Sequence, residues 1–391
     1  MSRFFRKTRV LSKLVANVAY AKILKKRRPI FLGLYITNTC NLRCTYCFHN
    51  VEDRYDDKSR PDPKTLEIFR QVDEMYDLGT RWIFLLGGEP LVHKDIGKIV
   101  KYITDKGILL HIFTNGIMVP KRFEQIKSAD GVAISVDGGE EATDVMRGKG
   151  AFKRAFEAAE ICVKAGMQTR VHAVINKHSF NDMEFLAKKC QKVGCHITLS
   201  PLNSIGDGMG QKHGGNDPSL RMSKDQYKEF YRLYRKLKTD GYPISNSLYS
   251  IDKAATWPTD YHKWIQREGI NGPDEEFAGY NVEEFAGYKQ EPCVIGYTHG
   301  CIDSEGTMFN CIQRGVLDGQ NIHDVGIKNA WDALPEFRKD CNMCSSMNTI
   351  ETAAYMNLRK EILMEGVKFF FGRKPKPSSL SKSSQLSMNV Q

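Results

Sequence analysis

Cys40, Cys44 and Cys47 stand in a C-x3-C-x2-C run, CNLRCTYC, shortly after the apolar stretch Ile30–Ile36. Three thiolates closing on one loop suit three corners of a [4Fe–4S] cube. They leave the fourth iron open, so that it binds and reduces a ligand rather than merely storing an electron. Chemistry of that kind begins with one-electron transfer. Eight further cysteines fall at 162, 190, 195, 293, 301, 311, 341 and 344. Cys162, Cys190 and Cys195 read as small buried hydrophobes. The histidines, His49, His93 and His111 among them, show no ligand spacing and take ordinary structural roles.

The elements that must position this loop come from an alternation of short apolar runs with helical stretches between residues 30 and 202. Strands are expected at Ile30–Ile36, Trp82–Leu86, Leu109–Phe113, Gly131–Val136, Thr169–Ile175 and His196–Ser200. Helices are expected at Pro63–Tyr76, Ile96–Asp105, Lys121–Ser128, Phe152–Ala165 and Asn181–Val193. Six strands with crossover helices predict an α/β fold with a parallel sheet, curled into a partial (β/α)6 barrel whose strand C-terminal ends form the working face. Residues 203–292 break this rhythm as a loop and helical insertion. It holds the Gly-rich SIGDGMGQKHGG, a helix at Lys224–Lys238 and two copies of EEFAGY, too few for a repeat fold. Residues 293–366 carry the last cysteines and one helix near Thr349–Met364. Residues 367–391 read as a basic, disordered tail.

The net charge of +11 is unevenly placed. Residues 1–29 and 368–391 contain no acid and together supply +15, so the 338 residues between them net −4. Leu11, Leu14, Val15 and Val18 lie at helical spacing inside the basic N-terminal segment. Two readings stand side by side: a helix lying on an anionic membrane surface through residues 1–29, or an amphipathic helix packed on the barrel. Nucleic acid is not an expected partner, because no aromatic-interleaved basic surface accompanies the charge. Lys13 and Lys22 interrupt the N-terminal apolar stretch and no small-residue cleavage site follows, so a secretory signal is not read. The expectation is a reduced, cytoplasmic metalloprotein, peripheral at the inner face of the membrane if the basic helix binds lipid.

Around the cysteines, the second strand ends in Gly87-Gly88-Glu89-Pro90 and the third in Thr114-Asn115-Gly116. The fourth carries Ser135-Val136-Asp137-Gly138, and Arg147-Gly148 follows. With Tyr46 between the second and third cysteines, this order resembles the radical S-adenosylmethionine (SAM) superfamily over roughly residues 30–202. A plain zinc or electron-transfer site is the alternative for the cysteines alone. The resemblance implies a [4Fe–4S] cluster on Cys40, Cys44 and Cys47, with SAM as cofactor and a flavodoxin- or ferredoxin-type electron donor. It also implies SAM contacts from Gly87, Gly88 and Glu89 to the methionine ammonium, from Arg147 to the carboxylate and from Ser135 to the ribose. Tyr46 and the backbone beside Phe48 would support the adenine, with Asn176 and Leu202 as further contacts. Asn115 and Asp137 read equally as strand-end turns or ligand contacts. No side chain is assigned to the hydrogen abstraction itself.

The C-terminal pattern C-x12-G-x4-C…C-x2-C, built on Cys293, Gly306, Cys311, Cys341 and Cys344, resembles a SPASM/twitch-type domain. That resemblance implies one auxiliary [4Fe–4S] cluster; a structural zinc is the alternative, and Cys301 is a fifth thiol that replaces one of the four, leaves a site open or is spare. Ile350 replaces the cysteine with which a full SPASM pattern continues, so a second auxiliary cluster is not expected. Ile312 stands where sulfatase-maturing enzymes carry an aspartate, which argues against that activity. The substrate is expected to be a peptide, a small molecule or a lipid-linked molecule, modified by oxidation or bond formation. The competing reading is a non-catalytic iron–sulfur electron carrier.

Overall fold

The structure, a computed structural model, describes residues 3–47, 62–202, 218–256, 293–310, 319–334 and 346–371. His49, Phe48, Cys311, Cys341, Cys344, both EEFAGY copies and residues 372–391 lie outside them.

The chain begins with helix α1 (Arg3–Ile23) and then alternates β1 (Phe31–Tyr35), α2 (Thr65–Leu78), β2 (Trp82–Leu86), α3 (Ile96–Asp105), β3 (Leu109–Thr114) and α4 (Val119–Ile126). It continues with β4 (Gly131–Val136), α5 (Glu140–Arg147), α6 (Ala151–Lys164), β5 (Gln168–Ile175), α7 (Met183–Val193) and β6 (His196–Pro201). The six strands recur within one residue of their expected ends, and the five expected helices between them within two. Neighbouring strands pair in parallel in the order β6-β5-β4-β3-β2-β1. The sheet curls without closing, as a partial barrel. Its helices cover the outer face through stripes spaced at three and four residues, such as Ile96, Ile99, Val100 and Ile103 on α3, all buried. Cys162, Cys190 and Cys195 lie in this same core, as expected of small hydrophobes.

Two elements depart from expectation. Helix α5 was not read from EEATDVMR because its turn chemistry is unusual. Gly139 precedes it in extended conformation, and Gly148 ends it at φ +102°, a region disfavoured for side-chain-bearing residues. The expected helix Thr349–Met364 is two, α12 (Met347–Met356) and α13 (Lys360–Phe371). The break falls at Leu358, φ +59°, where the Asn357 carbonyl accepts a hydrogen bond from Lys22 Nζ at 2.7 Å.

After β6 come α8 (Lys224–Thr239), started by a Ser223–Gln226 capping box, and α9 (Leu248–Ala255). Next are β7 (His299–Ile302), β8 (Thr307–Phe309), β9 (Gln320–Asn321), α10 (Ile322–Val325) and α11 (Ile327–Ala333). Strand β7 pairs in parallel with β1, and β8 and β9 add antiparallel, so the region after residue 293 extends the barrel sheet. Cys301 lies in β7, with its sulfur 2.8 Å from where a Cβ on Gly33 of β1 would stand. It belongs to the barrel wall.

Helix α1 uses its apolar stripe. Val10, Leu14, Val18 and Ala21 are buried against Ile30, Phe31, Leu109, Val294, Ala353 and Met356, at the N-terminal end of the strands. Val15, expected on that stripe, is exposed. Several basic residues also face inward to partners: Lys13 donates to the Tyr76 hydroxyl, and Arg27 donates to the carbonyls of Gly296, Trp331 and Asp332. The packed alternative thus accounts for the apolar face of this helix.

Burial alternates along β5. Thr169, Val171, Ala173 and Ile175 are buried, while Gln168, Arg170, His172 and Val174 on the other face are partly accessible. The same holds for Trp82, Phe84 and Leu86 on β2. The inner face of the curled sheet therefore borders open space, unlike the filled interior of a closed (β/α)8 barrel.

Candidate active site

The cysteine loop leaves β1 at its C-terminal end and is fastened there from four directions. Thr37 Oγ1 donates to Asp62 at 2.6 Å, and the Asn38 amide donates to the same carboxylate at 3.0 Å. The Gly88 and Glu89 amides donate to the carbonyls of Thr37 and Thr39 at 2.8 and 2.9 Å. A Cβ on Gly87 would stand 2.7 Å from the Thr37 carbonyl oxygen, and one on Gly88 would stand 2.5 Å from those of Asn38 and Thr39. The glycines are needed because the end of β2 runs backbone-to-backbone against the cysteine loop. Asn115 Nδ2 donates to Asn41 Oδ1 at 2.7 Å, and the Thr45 amide donates to the Met146 carbonyl at 3.0 Å.

Within the loop, the Leu42 amide donates to Cys40 Sγ at 3.4 Å and the Cys47 amide to the Cys44 carbonyl at 3.2 Å. Burial pushes the Cys40 thiol up to about 12 and the Cys44 thiol up to about 11, with the Arg147 charge opposing the latter. Cys44 and Cys47 are near enough to Cys40 to raise its proton affinity, but among the described residues no three His, Cys, Asp or Glu side chains form a ready-made metal cage. The donor set fits a cluster: three soft sulfurs on one loop, with a guanidinium beside them to offset thiolate charge.

Asp137, at the end of β4, is fully buried and holds Arg147, at the end of α5, in a two-pronged pair. Arg147 Nε donates at 2.6 Å to Oδ2 and Nη2 at 2.9 Å to Oδ1. Tyr46 completes the triad: its hydroxyl donates to Asp137 Oδ1 and accepts from Arg147 Nη2 at 2.8 Å. Burial and the neighbouring carboxylate hold the Tyr46 hydroxyl protonated, well above its ordinary range. Arg147 was expected to meet a carboxylate; the one it meets here is Asp137, with Nε and Nη2 engaged. Tyr46 also packs with Met146, Val174 and Leu202, an apolar wall beside the cysteine loop.

Glu89 is buried and accepts from the Leu91 amide (3.0 Å), Thr114 Oγ1 (2.7 Å) and the Asn115 amide (2.7 Å). It ties the ends of β2 and β3 together. Burial outweighs these donors and pushes its carboxyl up to about 7. A carboxyl raised in the folded state contributes stability that is full below its unfolded value and is lost as pH rises through the folded one. Between pH of about 4.5 and about 7 this group alone should cost the fold about 3 kcal/mol. Glu89→Gln is expected to flatten that part of the stability–pH profile, measured by urea unfolding at pH 5, 6 and 7; an unchanged slope would contradict it.

Ser135 lies on the partly accessible inner face of β4. The Asn176 side-chain oxygen accepts from the amides of His178 and Ser179, shaping the turn after β5, and the Leu202 amide donates to the Ile175 carbonyl. Gly87, Gly88, Glu89, Ser135, Arg147, Asn176 and Leu202 thus all sit at or near the C-terminal ends of strands, around Cys40, Cys44, Cys47 and Tyr46. Cys293 is described, just before β7, without the other three expected ligands. His111 is structural: Trp82 Nε1 donates to its Nδ1 at 2.7 Å, leaving its Nε2 to donate to Gln168. Sequence reasoning missed Asp62 and Asn41, whose roles depend on partners 24 and 74 residues away.

Residues 34–190 match the Radical SAM superfamily. The chain is 26% identical over 251 residues to the Fe-coproporphyrin III synthase of Methanosarcina barkeri, covering 62% of this chain and 60% of that protein. It is 25% identical over 322 residues to the mycofactocin maturase MftC of Mycolicibacterium smegmatis, covering 80% and 72%. Among solved structures, Streptococcus suis SuiB bound to its precursor peptide SuiA superposes with a TM-score of 0.59 at 18% identity, covering 81% of this chain and 67% of that one. That likeness supports the partial-barrel fold.

Proposed function

Because residues 34–190 carry a radical SAM domain, we propose that the chain is a SAM-cleaving enzyme that holds its [4Fe–4S] cluster on Cys40, Cys44 and Cys47. The observation that carries this is the clamped cysteine loop on the strand C-terminal ends, with GGEP beneath it and the Tyr46–Asp137–Arg147 triad beside it. A [4Fe–4S] cluster held by Cys40, Cys44 and Cys47 would supply the one-electron chemistry by which SAM is cleaved and hydrogen abstraction from the substrate begins.

This chain's residues do the positioning. Arg147, held in place by Asp137, offsets negative charge beside Cys44 and keeps Nη1 for the SAM carboxylate. The backbone at Gly87–Gly88 and the remaining lone pairs of Glu89 suit an ammonium. Ser135 offers a hydroxyl to the ribose. Tyr46 supports the adenine from the apolar wall it shares with Leu202, as does the backbone at Phe48. Asn176 fixes the turn at the end of β5. The open inner face of the barrel receives the substrate, a peptide or small molecule, out of bulk water. Cys293, Cys311, Cys341 and Cys344 hold one auxiliary [4Fe–4S] cluster, and a flavodoxin- or ferredoxin-type protein donates electrons. An anionic surface meeting residues 1–29 would meet their basic residues with the exposed Val15, Tyr20, Ile23 and Leu24, since Val10, Leu14, Val18 and Ala21 are buried.

Relatives named as a maturase and as a heme synthase support peptide and small-molecule substrates alike. A mere electron carrier has no use for a guanidinium fixed beside the cysteine loop. Anaerobically reconstituted protein should hold about eight irons, four per cube. With dithionite and SAM it should release equal methionine and 5′-deoxyadenosine. Two full clusters with no SAM cleavage would return the electron-carrier reading; four irons lost entirely with Cys40, Cys44 and Cys47 would remove the auxiliary cluster.

A further inference from the structure

We propose that Arg170, on the inner face of β5, is the anchor for a carboxylate on a substrate whose body is aromatic or apolar. Among the described residues no carboxylate pairs with Arg170. Its guanidinium lies 5.6 Å from the Phe113 ring, and the charged or titratable groups that act on it are the hydroxyls of Tyr234 on α8 and Tyr355 on α12. Burial lowers its pKa to about 10, which leaves it cationic at neutral pH. Two imidazoles that sense its charge are neutral: burial, with Arg170 and then Arg147 adding to it, pushes His172 down to about 3, and burial with Arg170 and Lys238 pushes His196 down to about 4.

A partly accessible guanidinium with no acid beside it is open to an incoming anion, whereas a purely structural arginine would hold an acid or several carbonyls. Arg147 does so with Asp137, a short distance away in the same barrel. Position adds a second argument. Arg170 is in register with Ala133 and His196, one inward position below the level of Ser135 and His172. Two residues along a strand place it roughly 7 Å deeper than the layer assigned to the ribose. Phe113 shares the level of Arg170, His172 shares that of Ser135, and Val174 stands one inward position nearer the strand C-terminal ends, an apolar and aromatic wall with neutral hydrogen-bonding groups. His172 Nε2 bonds Ser200 Oγ at 3.0 Å, and Ser200 accepts from Asn348 of α12 at 3.2 Å, so the wall continues onto the C-terminal helix. A molecule that enters from the cysteine-loop end, acid group first, sets its middle under the radical. This orientation rests on the proposed function; the anion site does not.

The test uses the full-length protein and two matched pairs, each an acid and its amide: 2-naphthylacetate with 2-naphthylacetamide, and Gly-Gly-Phe with its C-terminal amide. Binding is measured by equilibrium dialysis. Wild-type protein should prefer the acid by about ten- to hundredfold in at least one pair, as a charge-assisted bond requires. Preference in the naphthyl pair alone names a small acid as the source, and preference in the peptide pair names a peptide C-terminus. Arg170→Gln should abolish the preference while leaving amide affinity unchanged, and Arg170→Lys should retain most of it. Equal binding of acid and amide by wild type, which needs no variant to fold, overturns the proposal. So does a preference that survives Arg170→Gln. The same measurements on protein lacking Cys40, Cys44 and Cys47 should give the same preference, so failure of the cluster assignment and of the anion site are separable.

Discussion

Protein in which Cys40, Cys44 and Cys47 are all replaced by alanine is expected to release no detectable 5′-deoxyadenosine from SAM under dithionite, yet to fold. The loss should be complete because the three proposed ligands are gone and, among the described residues, no group of three His, Cys, Asp or Glu side chains stands ready to hold a metal ion in their place. Folding should survive because Cys40 and Cys47 are partly exposed and the loop is fastened by other residues, chiefly Thr37, Asn41 and Thr45. Unfolding by urea should shift by no more than about 1–2 kcal/mol, the range for losing one small buried side chain, here Cys44. The iron count should fall by about four. Residual SAM cleavage in this variant would move the cluster elsewhere in the chain.

The second large effect concerns the Tyr46–Asp137–Arg147 triad. Arg147→Ala strands a fully buried carboxylate, and removing one partner of a buried ion pair costs about 3–5 kcal/mol. The Tyr46 hydroxyl offers only partial compensation. Asp137→Asn combined with Arg147→Ala should be closer to wild type than Arg147→Ala alone, because neither charge is then left without its partner. Both variants should lose SAM affinity, since each lacks the guanidinium. Urea unfolding gives the first comparison and equilibrium binding of SAM the second. A single variant within 1 kcal/mol of wild type, no worse than the double, would mean that the pair does not hold the loop.

The strands were legible because parallel strands buried on both faces read as apolar runs; all five residues of β1 are buried. The cysteine loop, GGEP and Arg147 were legible as local spellings whose types limit their chemistry. What was hidden depends on tertiary partners. Asp137 reads as a turn residue until Arg147 folds back along α5 to meet it. The glycines at 87 and 88 were expected to admit a ligand, yet their closest neighbours are the carbonyls of residues 37–39. Helix α1 carried two readings, and the burial of Val10, Leu14 and Val18 against the barrel could not be seen in its own periodicity. The place of Cys301 was open in the sequence; it lies in the wall beside Gly33, since strand pairing with β1 is a long-range fact.

The central claim is that the loop of Cys40, Cys44 and Cys47 presents an iron with a free coordination site to SAM. Electron–nuclear double resonance of the reduced protein with SAM labelled in its amino nitrogen (15N) and carboxylate oxygens (17O) tests it most directly. The account predicts strong hyperfine coupling from both labels in wild-type protein and none in the Cys40, Cys44, Cys47 triple alanine variant. Reduced wild-type cluster with SAM bound and no coupling from either label would contradict it.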